Sequence, residues 1–261
     1  MGKYQVPAVM GAIKVLKELS GPGGAGATQA DLAEATGMSK STLHNLLHTL
    51  EANEYVRRDP DSRRYRLGPA LIPLGNAATR QVKLVRSTID RIAPMAEQHH
   101  LSFAVAQRTG DDEVQIIERF YPGKDVHVGI TVGSSYGPLD GALGKVLLSA
   151  MDPERAARLI KARKLPAHTD ATITSQDVLI AEIDEVRSRG WAVSRGELNE
   201  NNAVAAGIWT QSGELGLMLL VLGFANQLKD ERVEEVGQLL RTTADTIMAE
   251  AGVEVPRSTA W

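Results

Sequence analysis

Four stretches of the sequence place reactive or hydrogen-bonding residues at spacings that chemistry uses. Gly133-Ser134-Ser135-Tyr136-Gly137 satisfies G-x-S-x-G after the strand-like VHVGITV, a pattern that exposes a serine nucleophile on a strand-to-helix turn. A serine hydrolase with an accessory helical domain would then need an acid and a histidine downstream. The only histidine after Ser135 is His168, in the turn-like LPAHTD. His99-His100 offers two imidazoles, but adjacent helical residues point apart and no carboxylate stands at ligand spacing, so no metal is expected. A favourable charge at a helix C-terminus explains the pair better. Gly21-Pro22-Gly23-Gly24-Ala25-Gly26 fits G-x-G-x-x-G in letters, yet it follows a helical stripe and contains proline, whereas a dinucleotide cradle follows a strand. It reads as a flexible loop, and no cofactor is expected.

The fourth stretch, MSKSTLHNLLHTLE at residues 38–51, differs in kind. Leu43, Leu46, Leu47 and Leu50 share one side of a helix, which must be core. Ser41, Asn45 and His48 point away from them, flanked by Thr42, His44 and Thr49, and almost nothing on that face is charged. Short polar groups on a helix that fits the major groove donate to and accept from base edges, while a long lysine mostly finds phosphate. Asn45 and His48 are the expected base readers. Ser39, Lys40, Ser41 and Thr42 stand at the helix N-terminus, where free N–H groups suit a phosphate.

The elements around this helix give it a setting. Val9, Ala12, Ile13, Leu16 and Leu19 form a first helical stripe. Thr28-Gln29-Ala30-Asp31 has the form of a capping box opening a short second helix, which Gly37 closes. Thr28 and Gln29 join the candidate DNA contacts. Helix, glycine turn and helix make a helix-turn-helix. EYVRRDPDSRRYRLG follows, with Val56, Tyr65 and Leu67 as inward positions of a hairpin turning at Asp59-Pro60-Asp61-Ser62. Arg57, Arg58, Arg63, Arg64 and Arg66 exceed what protecting an edge strand needs, so phosphate or minor-groove contact is expected, chiefly from the first four.

Beyond the hairpin, Pro69 opens a helix through Leu71, Ile72 and Leu74, and a stripe from Val85 to Ala96 should break or kink near Pro94. The period then changes: SFAVAQR, EVQIIERF and DVHVGITV read as successive strands, 142–150, 153–163 and 175–189 as helices, and 230–251 as a closing helix. Between the last two, GWAVSRGEL, AVAAGIWT and ELGLMLLVLG read as strands. The expected division is a winged helix-turn-helix at 1–74, a linker at 75–92 and a larger domain at 93–261.

Composition agrees with a two-domain globular chain of 261 residues, 43% apolar and 23% charged. Cysteine is absent, which fits a reducing compartment, and no apolar run is long enough for a bilayer, so a cytoplasmic chain without a membrane partner is expected. The net charge of −3 conceals an asymmetry: residues 1–80 hold 10 Lys and Arg against 7 Asp and Glu, and the remainder hold 19 against 25. Only the front should meet phosphate.

TQADLAEATGMSKSTLHNLLHTLEANEYVRRDPDSRRYRLG closely resembles the winged helix of the IclR-type bacterial transcriptional regulators. GALGKVLLSAMD and RSRGWAVSRGELNENNAVAAGIWT resemble their effector-binding domain, in the right order over nearly the whole chain. The resemblance implies an α+β protein with a GAF-like α/β effector domain joined by a linker helix, a non-enzymatic regulator acting as a dimer or tetramer. It also implies a palindromic double-stranded operator and a small-molecule effector. Family members commonly carry a histidine and a hydroxyl residue where this chain has Leu139 and Gly141, ahead of Ala142. Where S-x-S-G is frequent this chain has Leu220, Val221, Leu222 and Gly223, and Val204 stands where some members have a polar or thiol residue. Losing hydroxyls and gaining leucines points to a larger, apolar, aromatic effector rather than a keto acid, with Tyr136, Glu197, Asn202 and Trp209 as polar or stacking contacts. Leucines that simply fill the pocket are the competing reading.

Overall fold

The computed structural model describes residues 6–21, 25–75, 83–110, 112–123 and 126–253, and the chain divides into two units, 1–82 and 83–261. The 21–26 loop and the 75–92 segment thus lie partly outside the described residues.

In the first unit, α1 (Pro7–Leu19) starts on a proline, whose missing N–H costs nothing in a first turn. α2 (Gln29–Thr36) has the expected capping box: Thr28 Oγ1 accepts the Asp31 N–H at 3.2 Å, and Asp31 Oδ2 accepts the Thr28 N–H at 3.0 Å. Gly37 ends α2 at φ 69°, a left-handed conformation that glycine adopts without a Cβ penalty. Ser39 then caps α3 (Lys40–Ala52) by accepting the Thr42 N–H. Val15, Leu32, Leu43, Leu47, Val56 and Tyr65 are buried together and hold the three helices to the hairpin.

That hairpin pairs β1 (Val56–Arg58) with β2 (Tyr65–Leu67) antiparallel. Asp59 shapes its turn by accepting N–H groups from Ser62 at 2.7 Å and Asp61 at 3.2 Å. Leu67 is 40% exposed and does not join the core, contrary to the inward position expected of it. β2 alternates from Tyr65, so Leu67 should share its side, but the strand ends there and Gly68 turns back to the Tyr55 carbonyl. A third strand-like segment went unread in the sequence: Ala27 exchanges both backbone bonds with Tyr65, at 3.0 and 2.7 Å.

The second unit is built on one antiparallel sheet of order β5-β4-β3-β8-β7-β6. Its strands are β3 (Ser102–Arg108), β4 (Val114–Phe120), β5 (Ser135–Tyr136), β6 (Trp191–Arg195), β7 (Asn201–Trp209) and β8 (Leu215–Phe224). α4 (Lys83–His99) and α8 (Asp230–Glu250) pack on one face; α5 (Gly141–Ser149) packs on the other, with α6 (Pro153–Lys161) and α7 (Gln176–Arg189) outside it. Both faces are covered, so the central strand β8 is almost continuously apolar. Gly144 lets α5 approach the preceding loop, since a Cβ there would stand 2.6 Å from the Pro138 carbonyl oxygen.

Of the break or kink expected near Pro94, the break does not occur: α4 is continuous, with Val85, Thr88, Ile92, Met95 and Ala96 buried on one stripe despite the lost backbone bond. Within DVHVGITV, the described residues 126–132 form no strand. Side chains hold that segment instead: Ser102 Oγ donates to the Val128 carbonyl at 2.7 Å, and the Tyr121 hydroxyl bonds both N–H and C=O of Ile130. No described helix is long and apolar enough to cross a membrane.

Candidate nucleic-acid interface and effector cleft

α3 buries Leu43 and Leu47 and leaves Lys40, Ser41, Thr42, His44, Asn45, His48 and Thr49 exposed. The Asn45 carboxamide and the His44 and His48 imidazoles enter no hydrogen bond or ion pair within the described residues. At the helix start, Ser39 Oγ lies 3.2 Å from Ser41 Oγ and 2.9 Å from Thr42 Oγ1. Thr28 and Gln29 serve the scaffold. Thr28 caps α2, and Gln29 Nε2 donates to the Lys40 carbonyl at 3.2 Å, tying α2 to the start of α3.

The hairpin arginines divide by role. Arg57 pairs loosely with Glu54 at 3.7 Å, Arg58 lies over the Tyr65 ring at 5.6 Å, and Arg63 sits at the turn with φ 56°. Arg64 instead reaches back, donating to the Gly26 carbonyl at 2.7 Å and standing 3.5 Å from Asp31. The Asp31 carboxyl is held below its ordinary value of 3.8, first by the Thr28 N–H and hydroxyl and only last by Arg64. Arg64 is therefore a strut between hairpin and α2. Arg64→Ala should lower the unit's stability by about 1 kcal/mol in urea unfolding, and Arg63→Ala should leave stability alone while flattening the salt dependence of DNA binding by about one unit of slope.

In the second unit, the start of α5, the β6–β7 loop and the strands beneath form a cleft partly open to solvent. Tyr136, Asp140, Gly141, Ala142 and Leu143 form one wall. Ser194, Leu198, Asn199 and Asn201 form another, and Ala203, Leu220 and Leu222 the floor. Of the expected effector contacts, Tyr136, Gly141, Ala142, Leu220 and Leu222 meet here.

Leu139 and Glu197 line an adjoining cavity that shares Gly141 and contains Lys145. Lys145, almost fully buried, donates to the Val193 carbonyl at 2.8 Å and to Glu197 Oε1 at 2.7 Å. Glu197 is thus committed to an internal ion pair. Thr169 and Thr172 hold the backbone on either side by donating to the Gly196 and Glu197 carbonyls.

Asn202, Val204 and Trp209 do not reach the cleft. Successive strand residues face opposite sides, so Asn201 and Ala203 line the cleft while Asn202 and Val204 face α8, where Asn202 Nδ2 donates to the Leu228 carbonyl. Trp209 lies past a register shift, and its ring fills the space beside Gly207, with its backbone N–H on Met248 Sδ. Asp140, Ser194 and Lys145 were missed: each is a polar residue in an apolar stretch, and only the pairing of α5 with β6 brings them together.

The remaining motifs find no chemistry. Ser135 is an exposed residue of the two-residue edge strand β5, with no positive φ and no helix until Gly141, so the strained strand-to-helix turn of a hydrolase nucleophile is absent. His99 lies 6.2 Å from the Phe103 ring, and no cluster of three or more candidate metal ligands occurs among the described residues.

Comparisons with known proteins agree with this architecture. The family model for the IclR helix-turn-helix domain matches residues 9–60, and that for the C-terminal domain of the bacterial transcriptional regulator IclR matches residues 76–249. The chain is 26% identical over 227 residues to the HTH-type transcriptional regulator KdgR of Escherichia coli (strain K12), covering 85% of this chain and 84% of that one. The crystal structure of an IclR transcriptional regulator from Alicyclobacillus acidocaldarius is 33% identical with a TM-score of 0.86, covering 94% of this chain and 99% of its own. An IclR homologue from Microbacterium hydrocarbonoxydans, solved with 4-hydroxybenzoate, shares the fold at 18% identity and a TM-score of 0.77, covering 95% and 100%. These relatives are regulators of transcription and not enzymes, and nothing supports a hydrolase built on Ser135. The chain belongs to the IclR family, DNA-binding transcriptional regulators with a helix-turn-helix domain and a C-terminal effector domain.

Proposed function

We propose that this chain is a cytoplasmic regulator that binds a palindromic operator as a dimer or tetramer and changes its DNA affinity when an apolar, aromatic metabolite fills the C-terminal cleft. Its working parts would be the DNA-binding domain at 1–74, the linker at 75–92 and the effector domain at 93–261. The observation that carries the DNA half is the row of exposed polar side chains on α3, among them the Asn45 carboxamide and the His44 and His48 imidazoles that bond to nothing among the described residues, directly before an arginine hairpin. Ser39, Lys40, Ser41, Thr42, His44, Asn45 and His48, with Arg57, Arg58 and Arg63, would meet DNA. Val6 at the N-cap of α1 and Val9 and Ile13 on the helix, all exposed, support self-association through an apolar stripe. Two half-sites would then lie about one helical turn, ~34 Å, or a multiple of it apart.

For the effector, the cleft floor of Ala203, Leu220 and Leu222 favours an apolar ring over a keto acid. The 4-hydroxybenzoate bound by the Microbacterium relative is in keeping with a ring-sized ligand. Coupling requires the effector to bind two arrangements of the DNA-binding heads unequally. Thermal-shift titration with aromatic amines, amides and acids beside short keto acids, followed by mobility shift on DNA upstream of the chain's own gene, tests the proposal. Stabilisation by an aromatic compound that also alters the DNA shift is the expected result, and stabilisation by keto acids alone would defeat it.

A further inference from the structure

The effector cleft has an unusual balance of charge for a site that takes a small metabolite. Among the described residues that line it, Asp140 is the only acidic one, and none is a lysine, arginine or histidine. Asp140 stands at the mouth of α5 in the N-cap position, and its side chain caps no N–H of that helix. One carboxylate oxygen, Oδ2, accepts the Gly137 N–H at 2.6 Å, which fixes the group in place. An ionised carboxylate has roughly four acceptor positions, so most of its capacity remains for a ligand. Its charge also offsets the positive end of the α5 dipole, the one feature of this wall that would attract an anion.

The other polar groups fit the same partner. Ser194 Oγ sits beside Gly141, 3.3 Å from where a Cβ would be, and Asn201 offers a carboxamide at the floor's edge. Burial first, and then the Asp140 charge, push the Tyr136 hydroxyl up from its ordinary value of 10.0, so it remains an uncharged phenol. Asn199 adds a second carboxamide, whose Oδ1 accepts the Asn201 N–H at 3.0 Å, and the larger remaining side chains are aliphatic: Leu143, Leu198, Leu220 and Leu222. A carboxylate placed here would face Asp140 with no counter-charge, at the cost that like charges incur in a partly desolvated site.

We propose that the effector is an aromatic compound whose head group is a hydrogen-bond donor, a protonated amine or an amide N–H, held by Asp140, and not an aromatic acid. This deepens, and rests on, the reading that the cleft binds an aromatic ligand. The side chains of Leu220 and Leu222 would take the ring, and Asp140 would select the head group by charge.

Three probes of nearly equal size separate the alternatives: benzylamine, benzamide and benzoate, titrated calorimetrically into the full chain. Benzylamine should bind tightest and benzoate weakest, with about tenfold or more between them. Asp140→Asn should collapse that ratio by weakening benzylamine and strengthening benzoate. The wild-type order is read without any variant, so it decides the matter even if Asp140→Asn fails to fold. Benzoate binding as tightly as benzylamine, or a ratio unchanged in a folded Asp140→Asn protein, would overturn the head-group assignment and leave the aromatic reading standing. Saturable binding by none of the three would overturn both.

Discussion

Asn45→Ala should weaken binding to the cognate operator by about 1–3 kcal/mol, roughly 5- to 150-fold, while binding to random duplex stays as it was. The reason is geometric. The Asn45 carboxamide is exposed on the side of α3 opposite Leu43 and Leu47, and none of its hydrogen-bonding capacity is spent within the described residues. A bidentate carboxamide recognises the adenine edge, so its loss should relax preference at one base pair of each half-site. Competition titrations with operator and random duplex at fixed salt measure both affinities together. Equal loss on both DNAs would mean that Asn45 supports the fold or contacts phosphate only.

The second large effect concerns Lys145. Its ammonium is 4% exposed and lies 2.7 Å from Glu197 Oε1, whose side chain is itself 12% exposed. Lys145→Ala would leave the Glu197 carboxylate buried beside the distant Arg195 N–H, 3.4 Å away, without a counter-charge. Breaking a buried pair from one side typically costs about 3–5 kcal/mol, whereas replacing both partners by apolar residues of similar volume is often neutral. Lys145→Ala should therefore strongly lower the denaturation midpoint of the C-terminal unit, and Lys145→Met with Glu197→Leu should restore much of it. A single variant as stable as the parent would show that the pair contributes nothing net. The pair also adjoins the proposed effector cleft, because Glu197 precedes Leu198 and Asn199, which line it.

How much of this was legible in the sequence follows from the range of the interactions. The capping box at Thr28 and Asp31, the left-handed Gly37 and the leucine stripe of α3 are all set within a few residues. Each was readable, and so was the helix-turn-helix they build. The strut from Arg64 to Gly26 and Asp31 joins residues more than thirty positions apart, and nothing local distinguishes that arginine from its neighbours.

The cleft shows a subtler failure. Its strands were recognised, but side chains on a strand alternate, so a shift of one residue exchanges the two faces. Asn202 and Val204 were expected at the ligand, whereas their neighbours Asn201 and Ala203 are the ones that line the cleft. The register shift at Ile208 and Trp209 breaks the alternation again. Leu220 and Leu222, two residues apart, both face the same cleft. For residues 126–132 the alternating pattern was present, but Tyr121 and Ser102 supply the hydrogen bonds that a neighbouring strand would have given.

The central claim, that the polar side of α3 enters the major groove, is most directly tested by methylation interference on operator DNA selected by the protein. Dimethyl sulfate marks guanine N7 in the major groove and adenine N3 in the minor groove. Interference should come from guanine N7 in two half-sites about one helical turn, or a multiple of it, apart, with adenine N3 mattering only at flanking positions reached by the hairpin. Binding that is insensitive to every guanine N7 modification would contradict the account.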